Sequence, residues 1–282
     1  MNSTPENGQT ADRLNRRRRV YRWLAIGTMV IGLCLAAWPL VSSFVQSSVM
    51  DRLLGNYETA VSVTTDQEKK EQFEKARAYN EKLNEEGDFL LDSSLQIPGY
   101  EQALNLMEDG VMGSLSIPKI DLDVPIYHGT SDAVLTAGIG HLQGSSLPTG
   151  EKGDHVVLSG HRGLPNAMMF TRLDELKQGD QFSLQILGKK MYYEVNRIQV
   201  IWPSQIDQIA RDPEADEVTL VTCTPFGVNN KRLLVTGVRT EAPKEQKRIR
   251  IGKIQWIFLA ASALMADMLL WRLISYWRKR QR

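Results

Sequence analysis

The apolar residues of this chain fall into three textures, each predicting a different kind of element. From Trp23 to Val45 no residue is charged, and at about 1.5 Å rise per residue a helix of that length crosses a hydrocarbon core of roughly 30 Å. From Thr65 to Glu86 charges dominate, yet Phe73, Ala76, Tyr79 and Leu83 recur at steps of three or four, the spacing of a narrow helical stripe that rests on a neighbouring domain. Thr65 and Glu68 fit a capping box and Gly87 supplies a stop. From Met112 onward the pattern changes to short β-prone runs broken by Gly and Pro. Gln181 to Ile186 alternates polar and apolar residues, the period of a half-buried strand.

Strands are predicted at Gly113–Ile117, Val124–Tyr127, His155–Ser159, Gln181–Leu187, Met191–Ile201, Glu217–Thr222 and Arg232–Arg239. Short strands at this spacing suggest a closed barrel or a sandwich. Asn166 to Leu176 reads as a short helix, and Pro203 to Ala210 as a turn or helix. A second apolar run, 254–276, is interrupted by Gln255, Ser262 and Asp267. It reads as another span, with Asp267 turned to a helix neighbour or an interface; lying flat or joining the core are the alternatives.

The predicted organisation is a basic tail over 1–22, a transmembrane helix over 23–45, a helical connector and lid segment over 46–111 and a β-domain over 112–240. A basic linker over 241–253, a second transmembrane helix over 254–276 and a short tail over 277–282 complete it. The first run is longer than the apolar core of a cleaved signal peptide. Arg16, Arg17, Arg18 and Arg19 precede it, which places both termini in the cytoplasm and the β-domain outside. Lys244, Lys247, Arg248, Arg250 and Lys253 pull the other way, but the first helix usually dominates orientation.

With 34 basic against 33 acidic side chains the net charge is +1, so nothing points to a nucleic-acid partner. Cys34 falls in the first span and Cys223 in the β-domain, so the two are not expected to pair. An unpaired thiol is either a small buried hydrophobe or a reactive nucleophile. Cys223 ends a predicted strand just before Thr224-Pro225, a mounting point with support on one side and exposure on the other. Arg232 lies nine residues on, beyond a turn-prone stretch, where a hairpin returns it beside the thiol or it merely decorates a strand edge. His161, between Gly160 and Gly163, is a candidate proton carrier; His128, His141 and His155 compete for that role. His128 and His141 lie in turn-like segments, and His155 heads a strand. No histidine pair has metal-ligand spacing, so neither a metal nor a cofactor is expected.

Five segments, Met112–Ile120, Pro125–Thr130, Gly138–Pro148, Ser159–Pro165 and Thr219–Pro225, resemble in order those of the sortase family, most closely its class C, the pilus-assembling sortases. The resemblance covers about Met112 to Arg239. It implies a mainly β fold: an eight-stranded sortase-type β-barrel with short helices, an N-terminal helical connector and lid, and two transmembrane helices. It implies His161, Cys223 and Arg232 as the catalytic set and Thr222 as a residue that helps hold substrate. The implied reaction cuts an LPxTG-like sorting signal between Thr and Gly through a thioester. The acyl part of the pilin or surface-protein substrate then passes to an amine, typically a pilin lysine. A housekeeping cell-wall anchoring sortase, a membrane-tethered peptidase that hydrolyses, and a non-catalytic adaptor are the other readings.

Class C lids usually set an Asp-Pro-aromatic tripeptide over the thiol. The matching residues here are Asp92, Ser93 and Ser94. Without the proline and the ring, the lid is expected to hold less firmly.

Overall fold

Thr65 and Glu68 form the predicted capping box: the Thr65 N–H donates to Glu68 Oε2 at 2.9 Å, and the Glu68 N–H donates to Thr65 Oγ1 at 3.2 Å. They open helix α2, Asp66–Glu86, in a computed structural model that describes residues 6–86, 97–163, 169–205, 209 and 211–243. Ala76, Tyr79 and Leu83 are buried, and Phe73 packs against them, so the narrow stripe is the docking face. Asn80, beside that stripe, donates to Leu147 O and Asp154 Oδ1 and accepts from the Leu147 N–H. A fully used buried amide fixes the register of the helix against the barrel.

The helical connector begins as a direct continuation of the first helix. Helix α1 runs Glu6–Val63 without interruption, and Tyr57 near its end is buried, its hydroxyl donating to Met112 O and accepting from the Leu187 N–H. Trp23, Leu24, Ile31, Leu35 and Trp38 on α1 are exposed. Among the described residues no helix is long and apolar enough to cross a membrane, so neither span read from the sequence is shown by the fold. The second apolar run, the basic linker from Lys244 onward and the lid residues Asp92, Ser93 and Ser94 lie outside the described residues.

Eight strands follow: β1 Val111–Ile117, β2 Leu122–His128, β3 Ile139–His141, β4 His155–Ser159, β5 Gln181–Ile186, β6 Lys189–Ile201, β7 Glu217–Thr224 and β8 Lys231–Thr240. Helix α3, Asp132–Ala137, connects β2 to β3. The strands close in the order β1-β2-β3-β4-β7-β8-β6-β5, and β5 returns to β1. The pairs β2–β3 and β4–β7 are parallel, the rest antiparallel.

Only β3 escapes the sequence pattern, since three residues with a central glycine show no period. It changes the reading of two histidines: His128 and His141 are paired neighbours on β2 and β3, not turn residues. The predicted helix at 166–176 is, over its described part, a 3-10 turn at Leu173–Glu175. In the 203–210 stretch the described residues form turns and bends.

Alternation sorts the strands' side chains. Val156, Leu158, Val218, Leu220, Leu233 and Val235 join the barrel core. Their neighbours Val157 and Leu234 are equally buried but belong to a second cluster with Ile201 and Ile209, against which Leu142 and Val221 pack. Strands β4, β7 and β8 are therefore apolar on both faces, which is why their sequences read as near-continuous hydrophobic runs.

At the start of β7, Asp216 accepts from Tyr193 Oη at 3.1 Å and from Arg239 Nη1 at 3.3 Å. Burial outweighs both partners and pushes its carboxyl up to about 6. The folded chain then binds more protons than the unfolded one between the ordinary carboxylate range, about 4, and pH 6, so stability falls as pH rises through that window. Asp216→Asn, which mimics the protonated form, is expected to raise the urea midpoint at pH 8 and leave it nearly unchanged at pH 4. A lower midpoint at pH 8 would show that the Arg239 ion pair outweighs the burial cost.

Candidate functional site

Three same-face pairs run along the outer surface of β7 and β8: Thr219 opposite Thr236, Val221 opposite Leu234, and Cys223 opposite Arg232. The first pair is joined hydroxyl to hydroxyl at 2.9 Å, and His155 Nε2 lies 2.8 Å from Thr219 Oγ1. The second belongs to the outer apolar cluster. The third puts a half-buried free thiol beside a half-buried guanidinium, as the turn-prone stretch between them predicts. Arg232 Nη1 donates to Asn229 O and Lys231 O, so its own turn holds the guanidinium close to the strand.

His161 arrives from the other side. Strand β4 runs parallel to β7 as far as Ser159 opposite Val221. Beyond it the Gly160 N–H donates to Val221 O at 3.1 Å, and Thr222 Oγ1 donates to Gly160 O at 2.8 Å. One residue further on each strand stand His161 and Cys223. Parallel register therefore brings the backbone of His161 alongside that of Cys223. Glycine is needed at 160, because a Cβ there would lie 2.6 Å from Ile139 Cδ1 and 2.7 Å from Phe170 Cδ2.

The competing histidines are all buried, and each has partners of its own. His141 lies with Nε2 against Ser146 O and Nδ1 against Tyr100 Oη, and burial pushes its pKa down to about 3, so it stays neutral. His128 has Ala103 O and Gly110 O at its two ring nitrogens. His155 bonds Thr219. Of the four, only His161 retains solvent access, which a group that trades protons with a substrate requires.

Thr222 is only 2% exposed, on the inward face with Val218 and Leu220. Its hydroxyl ties the strand carrying Cys223 to the loop carrying His161.

Two features went unread in the sequence. One is the second buried apolar cluster, Val157, Ile201, Ile209 and Leu234, on the outer side of β4, β6, β7 and β8, with Val221 packed against it, hidden because alternation was taken to bury one face only. The other is Arg162, whose side chain is 8% exposed although it is charged. Its position in a glycine-rich loop after a strand carried no sign of burial.

The sequence matches the model of the sortase domain over residues 115–240. Among curated proteins it is 35% identical over 130 residues to sortase D of Bacillus subtilis, covering 45% of this chain and 63% of that protein; the match thus spans under two thirds of that relative. Among solved structures it is similar to sortase C1 from Streptococcus agalactiae, with TM-score 0.64 and 38% identity over 68% of this chain and all of that one. Sortase C from Clostridium perfringens gives TM-score 0.57 and 38% identity, covering 68% of this chain and 99% of that one.

The chain belongs to the sortase family. It is thus a cysteine transpeptidase by family, and its structural neighbours include class C sortases. In this sortase the closed eight-stranded barrel bears out the β-barrel of the expected fold. Its pairing brings the three residues singled out for catalysis to one end of β4, β7 and β8.

Proposed function

We propose that this sortase cleaves an LPxTG-like sorting signal between Thr and Gly and joins the acyl part to an amine, a pilin lysine in the class C manner. The observation that carries the reading is the register of Cys223 opposite Arg232, with His161 brought alongside by the β4–β7 pairing. The Cys223 thiolate attacks the Thr carbonyl carbon, and the guanidinium of Arg232 stabilises the negative charge that gathers on oxygen. His161 as imidazolium gives its proton to the departing Gly nitrogen, the C–N bond breaks, and a thioester remains. The incoming amine, deprotonated by the now neutral His161, attacks that thioester and releases the thiolate.

The uncharged run of α1 anchors the enzyme in the cell membrane, with its exposed Trp23, Leu24, Ile31, Leu35 and Trp38 turned to lipid. The run at 254–276 forms the second span, and the barrel faces outward. The Asp92-Ser93-Ser94 lid restrains the thiol weakly, so deleting residues 88–98 should leave peptide cleavage close to its starting rate.

The test is product analysis with an LPxTG peptide, with and without a pilin domain that supplies a lysine. A peptide–pilin isopeptide conjugate that displaces the hydrolysed product is expected. Hydrolysis alone in the presence of pilin would make the enzyme a peptidase. Transfer only to a cell-wall peptide amine would make it an anchoring sortase.

A further inference from the structure

Arg162 is a cation that the catalytic reading leaves without a task. Its backbone directly follows His161, and its side chain turns away from solvent toward the strand that carries Cys223. Nη1 donates to Thr224 Oγ1 at 3.2 Å, and Nη2 donates to Asp174 Oδ2 at 2.6 Å. The guanidinium carbon lies 6.0 Å from the centroid of the Phe226 ring. Three segments therefore meet on one planar group: the His161 loop, the residues after Cys223, and the 3-10 turn at Leu173–Glu175.

The pairing is lopsided. The cation is 8% exposed, whereas the Asp174 side chain is 50% exposed. A structural ion pair of ordinary kind leaves the cation in water too, because burying a guanidinium is costly. Nε is buried and finds no acceptor among the described residues, a further cost that a position kept only for stability would shed. Lysine cannot replace this group, since an ammonium is a point charge without the rigid fork that reaches Thr224 and Asp174 together.

Resting on the catalytic reading above, we propose that Arg162 is a positioning residue for the sortase reaction: it clamps the loop bearing His161 to the residue after Cys223 and so sets imidazole against sulfur. Asp174 orients the fork, and the Phe226 ring closes over its face. The clamp acts on the chemical step, because a displacement of about 1 Å between reacting groups costs up to about 100-fold in rate.

The experiment compares the parent with Arg162→Ala, Arg162→Lys, Thr224→Val and Asp174→Asn, reading kcat and KM for peptide cleavage, the pH profile of Cys223 alkylation by iodoacetamide, and thermal unfolding. Arg162→Ala should lose about 10- to 100-fold in kcat with KM within about threefold, and its alkylation profile should shift in pH. Arg162→Lys should recover little, Thr224→Val should show part of the same loss, and added guanidinium ion should restore part of the Arg162→Ala rate. A parental kcat and alkylation profile in Arg162→Ala overturns the proposal. So does a loss confined to KM, or one that follows the melting temperature while the alkylation profile stays put. If Cys223→Ala retains activity, the catalytic reading itself fails, an outcome distinct from any of these.

Discussion

Cys223→Ala is expected to abolish both cleavage of a sorting-signal peptide and transfer to an amine, leaving rates at the uncatalysed background, a loss on the order of 10⁴-fold or more. The register explains why nothing else can substitute. Cys34, the other thiol, sits on α1 far along the chain from the barrel, and Thr222 and Thr224 flank the position with hydroxyls already engaged by Gly160 O and Arg162. The side chain at 223 is half-buried, so its loss leaves a small gap at a strand end rather than a core cavity, and the melting temperature should change little. Activity and stability measured on one preparation separate the two effects: full activity in a well-folded variant would remove the nucleophile assignment.

Replacing Arg232 is the second large effect. Arg232→Ala should lower kcat by about 100- to 1,000-fold, the range for losing a donor to a developing oxyanion, with KM nearly unchanged because the charge it meets exists only in the transition state. Arg232→Lys should keep a minor part of the rate, since a single ammonium lacks the planar fork and its two anchors to the turn carbonyls of Asn229 and Lys231. Steady-state kinetics on the two variants give the split directly. A rise in KM with kcat intact would turn Arg232 into a substrate-binding residue.

Much of the barrel was readable because its strands carry their own punctuation. Gln181 to Ile186 alternates cleanly and became β5, and the charged helix with its capping box and its stripe at Ala76, Tyr79 and Leu83 became α2. Helix α1 continues from the first apolar run to Val63, and Met50, Leu53, Tyr57 and Val61, at steps of three and four, set it against the barrel core, a stripe the sequence reading left unremarked among polar neighbours. Strand β3 was silent for another reason: a Gly140 packed against Gly129 O, where a Cβ would lie 2.3 Å away, reports a close approach that no window of hydrophobicity contains.

The site divided along the same line. Cys223 and Arg232 are related by a hairpin, so their separation in sequence already carried their proximity. His161 joins them through parallel pairing of β4 with β7, separated by 62 positions from its neighbour in register, and residue types and family resemblance picked it out where spacing did not. Thr222, Arg162 and Asp174 act through contacts that exist only after the barrel has closed. The choice among four histidines shows what folding adds: burial removes His128, His141 and His155 from proton traffic, a distinction no local sequence feature made.

The most direct measurement is intact-mass analysis of the enzyme quenched in acid after mixing with an LPxTG peptide and no amine acceptor, followed by digestion to locate the adduct. The expected result is a mass increase equal to the peptide acyl fragment ending in Thr, carried by the segment with Cys223 and absent from Cys223→Ala. Peptide turnover with no covalent species, or an adduct on any other residue, would contradict a reaction that passes through this sulfur.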